Sequence, residues 1–446
     1  MKKKIFYLFL ILISILFVSF WIIVSGGYDK QNKTILFLKE IIPVSFARKV
    51  RDTIFFIPRL QDRNKFLETQ LSKYEQGLNG NLFFEKKVSN KEIHNYNLKK
   101  FFLPFPSLDL ELGWRATKNA KRAHYLELVD DKVLVISGEG ETIYFNKKNI
   151  NKKKLSQSYL KNNLVELFSN KGTELAAIRD LYYENDFVYI SVVEMQDKKS
   201  TLNIYRARKN FKNLIFEIFF ETKIFYDEYT LQTGGRLEKF NDDEILLSIG
   251  FFSQFESAQD KKSLGGKIIS INKATREFSI QSMGHRNPQG LFFLKEKNLI
   301  INSEHGPKGG DEINFNFLSN ENNSIKNYGW PISSYGKGYN QAQQKFYDEN
   351  NYLKKSHSEF GFIEPNFNFT PSIGISEIFF NNNFLYVSSL RAQSLYIFEI
   401  KKEYNLKNYE RIKFDNRIRD LKYDKKNDIF LLIFENTPAI GILKFS

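Results

Sequence analysis

Short β-type runs recur along this chain behind acidic or amide turn residues. They follow Asp131, Asp186, Asp243, Asn298, Asn383 and Asp428, and cover Lys132–Ser137, Phe187–Val193, Glu244–Ile249, Leu299–Ser303, Phe384–Ser388 and Ile429–Phe434. The intervals between the turn residues are 55, 57, 55, 85 and 45, near the ~40–50 residues of one four-stranded propeller blade. One such unit cannot bury its own apolar face, so six in series predict an all-β, six-bladed β-propeller over 106–446. The competing arrangement is a β-sandwich with scattered turns. The 85-residue interval holds a polar, aromatic stretch around Tyr335 to Phe360, expected as a long loop over one face of the ring.

The region before residue 106 has a different texture. Lys2, Lys3 and Lys4 precede an apolar run from Ile5 to Val24, broken only by Ser14 and Ser19; 20 helical residues span about 30 Å, enough to cross hydrocarbon. A cleaved signal peptide would carry a shorter run and a small-residue cleavage site, but the first alanine is Ala47. Residues 1–27 therefore read as an uncleaved transmembrane helix that leaves a large domain outside the cytoplasm. Residues 28–105 read as a partly helical connecting region, with one apolar stripe at Ile35 to Ile42 before Pro43 and another at 61–77 between Pro58 and Gly77. Such stripes mean packing more often than membrane contact.

Charge narrows the partners. The chain carries 66 Lys and Arg against 51 Asp and Glu, a net +15. Residues 1–60 alone hold ten basic and three acidic side chains. A surplus concentrated beside an apolar run fits anionic lipid rather than nucleic acid, which requires a basic patch on one folded surface. The absence of cysteine excludes a disulfide scaffold and a thiolate zinc site.

Three motifs lie between Gly284 and Pro331: Gly284-His285-Arg286-Asn287-Pro288-Gln289-Gly290-Leu291, then Ser303-Glu304-His305-Gly306-Pro307-Lys308-Gly309-Gly310-Asp311-Glu312, then Asn327-Tyr328-Gly329-Trp330-Pro331. With the Ala123 to Phe145 region, Gly235-Arg236-Leu237, Ser388-Ser389-Leu390-Arg391 and Asn416-Arg417-Ile418-Arg419-Asp420, they follow one another in order along the chain. In this the sequence resembles the glucose/sorbosone dehydrogenase family, six-bladed propellers that use pyrroloquinoline quinone (PQQ) and calcium.

The resemblance implies a membrane-anchored, periplasmic sugar dehydrogenase of the bacterial inner membrane, passing hydride from a sugar or alcohol hydroxyl to PQQ with Ca²⁺ assistance. By that resemblance Arg286, Asn287 and Gln289 line the quinone, Arg391, Arg417 and Arg419 hold its carboxylates, and the Gly306 and Pro307 carbonyls bind calcium. The residue types agree: a tricarboxylate needs guanidinium and amide donors, and Ca²⁺ prefers hard oxygen. Asp311 and Glu312 either add charge near the metal or order the loop leading into Asn327 to Trp330. His285 and His305, beside glycines in turns, read as structural, and His94, His124 and His357 have no catalytic partner in the sequence.

One position departs from the family. Where its members carry the histidine that takes the hydroxyl proton, four residues before the Arg of Gly-Arg-Leu, this chain has Gln232. An amide hydrogen-bonds a hydroxyl but does not accept its proton near neutral pH. Glu174 is a candidate substitute. The expected aromatic before Pro371-Ser372 is represented by Phe369. The alternatives are an inactive propeller binding a sugar, cofactor or envelope partner, and a lactonase-like hydrolase with metal-binding carboxylates around the channel.

Overall fold

The computed structural model describes residues 56–88, 95–105, 123–150, 152–223, 225–227, 231–318, 324–400, 404, 406–435 and 438–445. Packing divides the chain into Met1–Thr69 and Gln70–Ser446, and the β-structure lies in the second unit. The expected anchor at 1–27 and the stripe at 35–42 lie outside the described residues. Among the described residues no helix is long and apolar enough to cross a membrane. The stripe at 61–77 falls within a helix, Phe56–Asn79.

The described strands form six antiparallel-based sheets. Their first strands, His124–Val129, Glu174–Glu184, Gly234–Lys239, Pro288–Leu294, Ile375–Asn381 and Arg417–Asp424, each neighbour the next, and the last returns to the first. This closes a six-bladed propeller, with those strands lining the hub and blades numbered here in that order. The six runs anticipated from the turn residues are the second strands of the six blades. Their entry turns use left-handed backbone where short polar side chains tolerate it: φ is 49° and 65° at Asn185 and Asp186, and the same at Asn382 and Asn383.

Ring closure corrects the expected domain boundary. Leu82–Val88 and Tyr96–Phe102, read from sequence as connecting region, are the two outer strands of blade 6. Tyr96–Phe102 pairs antiparallel with Ala439–Phe445 in unbroken register, so the two ends of the β-domain are joined by backbone hydrogen bonds. The expected loop over Tyr335 to Phe360 also has structure. It contains a helix, Gln341–Glu349, started by the Asn340 side chain accepting from Gln343 N at 2.9 Å.

Alternating apolar side chains fill the spaces between blades. Large clusters join blades 1 and 2, 2 and 3, 4 and 5, 5 and 6, and 6 and 1. Between blades 3 and 4 the apolar cluster is small, centred on Leu246, Ile268, Leu291 and Ile300. A buried polar chain supplements it: Ser282 Oγ lies 2.8 Å from His285 Nε2, His285 Nδ1 lies 3.0 Å from Glu304 Oε1, and Asn314 Nδ2 donates to the same oxygen at 2.7 Å. The side chains of His285 and Glu304 are 0% and 3% exposed, which leaves the chain a positioning role.

Phe101, fully buried where blades 6 and 1 meet, tests the closure. Phe101→Ala should lower unfolding stability by about 3–5 kcal/mol. Phe83→Ala, on the exposed outer strand, should change it by no more than about 1 kcal/mol. Urea unfolding measures both.

Candidate active site

The motif residues sit where the first strands begin, at one mouth of the hub. Arg286 and Asn287 immediately precede Pro288–Leu294 of blade 4, Gln289 lies inside it, and Arg417 and Arg419 open Arg417–Asp424 of blade 6. Gln289 Oε1 accepts from Arg419 Nη1 at 2.8 Å and from Arg179 Nη2, on blade 2, at 3.2 Å. Gln289 Nε2 donates to Asn287 Oδ1 at 3.2 Å, and the same oxygen accepts from Gly234 N. One amide thus ties guanidinium groups from two remote stretches to the blade-4 motif.

His305 reports the convergence. Its imidazole pKa is pushed down to about 3, by burial first and then by Arg419, Arg286, Arg417 and Arg179. Four guanidinium groups act on one ring, so His305 is neutral across the physiological range. Arg286 Nη1 donates to the His305 carbonyl at 2.9 Å, and its guanidinium lies 5.2 Å from the Trp330 ring and 5.8 Å from Phe251. Trp330 and Phe251 pack with Tyr347 of the inserted helix, so the insertion helps to wall the mouth.

Glu435, at the end of the second strand of blade 6, is the counter-charge. Its Oε2 accepts from Arg419 Nε at 2.7 Å and its Oε1 from Arg417 Nη2 at 3.3 Å. Burial opposes ionisation there, but Arg419 and Arg417 outweigh it and hold the carboxyl down at about 2. Glu435 partners two of the four guanidiniums, while Glu304 and Asp311 lie against the blade-4 motif.

The Gly306–Pro307 loop is rigidly shaped. A side chain on Gly306 would place Cβ 1.9 Å from Gly310 O, so only glycine fits. Asp311 Oδ1 accepts from Gly306 N at 3.2 Å, while Oδ2 accepts from Gly374 N at 2.7 Å and Ile375 N at 3.1 Å. Asp311 therefore fixes the Gly306 turn against Gly374 and Ile375. Glu312 lies with its Oε1 3.7 Å from His357 Nε2. Burial, then Glu304, raises its pKa well above the ordinary carboxylate range. The Pro307 carbonyl accepts from Ser372 Oγ at 3.2 Å, which leaves a second lone pair.

Gln232 lies two residues before Gly234, and its Oε1 accepts from Ser253 Oγ at 3.0 Å. The contact with Asn287 is made by Gly234 N, two residues on. Arg391 is exposed, on the turn after Phe384–Ser389, and is absent from the charges that act on His305. Glu174 stands exposed at the start of its strand, five residues and about 16 Å of extended chain from Arg179. It does not join the residues around His305.

Sequence reasoning missed Arg179 and Glu435, and also a charged layer directly below the mouth. Arg236 Nη1 lies 2.9 Å from Asp180, 2.9 Å from Glu377 and 3.0 Å from Asp420. Those three carboxylates are the group among the described residues with metal-binding spacing. A guanidinium nitrogen already touches all three, which disfavours the hydrolase alternative.

Residues 123–440 match the family described as Glucose / Sorbosone dehydrogenase. The chain belongs to that family. Among curated relatives it is 34% identical over 119 residues to aldose sugar dehydrogenase YliI of Escherichia coli (strain K12), a stretch covering 24% of this chain and 30% of that relative. A solved glucose dehydrogenase superposes with TM-score 0.59 at 20% identity, covering 74% of this chain and 99% of its own. The PQQ-bound form of an aldose sugar dehydrogenase from Streptomyces coelicolor gives TM-score 0.54 at 19% identity, covering 75% and 97%. These two likenesses are of fold.

The Glu435 pairing has a pH signature. Its folded value of about 2 lies below the ordinary ~4.3 of an unfolded glutamate, so the stabilisation is complete above about pH 5 and disappears as pH falls through 2. Glu435→Gln should cost about 3 kcal/mol at pH 7 and progressively less from about pH 4 to 2. Urea unfolding across that range checks it, and an unchanged margin at the acid end contradicts the assignment.

Proposed function

We propose that the chain is a PQQ-dependent aldose dehydrogenase whose cofactor site is the guanidinium-lined mouth. The carrying observation is geometric: Arg179 and Arg419 meet on the Gln289 amide, Arg417 and Arg419 share Glu435, and Arg286 donates to the His305 carbonyl. Two further features fit a bound tricarboxylate. Guanidinium forks from separate strands offer the paired donors that carboxylates take. Arg286 Nε and Arg417 Nε are buried without hydrogen-bond partners, an arrangement that costs free energy unless an acceptor arrives.

In this reading Arg286, Arg417 and Arg419 would hold the carboxylates, Asn287 and Gln289 would orient the ring edge, and Arg179 reinforces Gln289. Arg391, exposed on its turn, is at most a peripheral contributor. The Gly306 and Pro307 carbonyls would hold calcium, as suits hard oxygen ligands in a loop that Asp311 has already ordered. Bound there, PQQ with its calcium would supply the electrophilic carbonyl that accepts hydride from the sugar. The protein's part is to fix orientation, exclude water behind Trp330 and Phe251, and hold the substrate hydroxyl at Gln232.

Gln232 limits the chemistry. Its amide can accept a hydrogen bond from a hydroxyl but cannot take the proton, and loss of a general base commonly costs ~10²- to 10⁴-fold in rate. This residue favours a second reading, a propeller that binds cofactor or sugar without turnover. The anchor belongs to the proposal too: Ile5 to Val24 would hold the propeller on the periplasmic side of a bacterial inner membrane.

Purified protein given PQQ and Ca²⁺ should reduce an artificial dye with aldoses slowly, and Gln232→His should raise kcat by about 10²-fold or more. Cofactor binding with no dye reduction in either form supports the second reading. Absence of both binding and reduction defeats the dehydrogenase assignment.

A further inference from the structure

Blade 2 is taller than its neighbours. Its first three strands, Glu174–Glu184, Phe187–Gln196 and Lys199–Arg208, have 11, 10 and 10 residues. The first three of blade 3 have six each. In both blades the hub strand carries a member of the charged layer, Asp180 and Arg236, which are in contact. Above that common level blade 2 continues for six residues, to Glu174, while blade 3 ends after two, at Gly234. The excess therefore stands on the same face as the mouth, as a wall beside it.

That wall contains a pocket of about 160 Å³ lined by Lys171, Glu194, Glu221, Lys223 and Phe225, among others. Glu194, 3% exposed, is its fixed base. It accepts from Lys171 Nζ at 2.8 Å and Asn203 Nδ2 at 2.7 Å, and from Tyr205 OH. Lys171 Nζ also lies 3.0 Å from Tyr205 OH. Two ammonium hydrogens are thus engaged, and the third remains beside the Glu221 carboxylate, 3.7 Å away. Lys171 and Glu221 are 33% and 46% exposed, so solvent reaches this donor–acceptor pair. Phe225, 54% exposed, adds an aromatic surface to the same pocket.

We propose that this pocket is a second saccharide site, taking a neutral pyranose on the blade-2 wall. Charge excludes the alternatives: two lysines balance two glutamates, so neither an anion nor a cation is preferred. A donor beside an acceptor matches adjacent hydroxyl groups, each of which both gives and receives a hydrogen bond. The ring of Phe225 offers an apolar surface to the C–H face of a sugar. The volume lies below the ~300–1,000 Å³ of drug-sized sites and limits the occupant to about one sugar unit.

The binding inference stands on the pocket's own residues. Its use rests on the dehydrogenase reading: Thr173, on the pocket wall, is six residues and about 20 Å of extended strand from Arg179, so a ligand filling both sites is an oligosaccharide oxidised at its far end.

Saturation-transfer NMR on the full chain, with glucose, maltose and cellobiose as probes, tests the site. Arg286→Met with Gln232→Ala removes both the cofactor contact and the sugar contact at the mouth and should leave transfer in place. Adding Phe225→Ala or Glu221→Gln should weaken binding about tenfold, as loss of an aromatic contact or a charged acceptor does. Transfer that vanishes in the Arg286→Met, Gln232→Ala double variant, or affinity unchanged by both pocket substitutions, overturns the proposal. Failure of cofactor-dependent oxidation would leave these readings unaltered, so the two ideas fail separately.

Discussion

One guanidinium pins the propeller together. Arg236, on blade 3, reaches Asp180 of blade 2, Glu377 of blade 5 and Asp420 of blade 6 through Nη1, the Gln289 carbonyl of blade 4 through Nε, and the Arg419 carbonyl through Nη2. Asp420 Oδ2 in turn accepts from Leu126 N of blade 1. Every blade is therefore within one bond of this residue or its partners. A buried charge of this kind is tolerable only when fully partnered. Burial opposes the Arg236 charge, but the surrounding carboxylates hold its pKa above the usual value. Glu377 in its turn is pushed up to about 8, by burial ahead of every charge.

The consequence reaches the mouth directly above. Arg236 bonds the backbone of Gln289 and Arg419, the two residues whose side chains begin the ligand-facing network. Specificity of position here comes from polar bonds between blades rather than from apolar packing, which is thinnest between blades 3 and 4. The fixed pair His285–Glu304 performs the same service for Arg286, whose N–H donates to Glu304 Oε2 at 2.6 Å. Arginines held this way lose little conformational freedom when an anion binds, the general advantage of preorganisation.

The hairpins were legible because their signal is local: a tight turn needs positive φ, and Asn or Asp supplies it next to an alternating run. The closure by Tyr96–Phe102 was not, since its partner lies more than 300 residues away and nothing nearby marks the pairing. The mouth residues in the Gly284–Pro331 motifs were legible as a block. Arg179 carried a fainter sign, a charged Arg-Asp pair inside the otherwise apolar strand Glu174–Glu184. Glu435 carried none, because an acidic residue at a strand end normally faces water. Arg391, matched by residue type, lies on an exposed turn.

A mouth built as an anion site from remote arginines should take up a tricarboxylate. Calorimetric titration of PQQ into the purified, cofactor-free protein in the presence of Ca²⁺ tests it most directly. One saturable site is expected, with an affinity that falls at least about tenfold in Arg286→Met and again in Arg419→Met. Heat that never saturates, or an affinity indifferent to both substitutions, would contradict it.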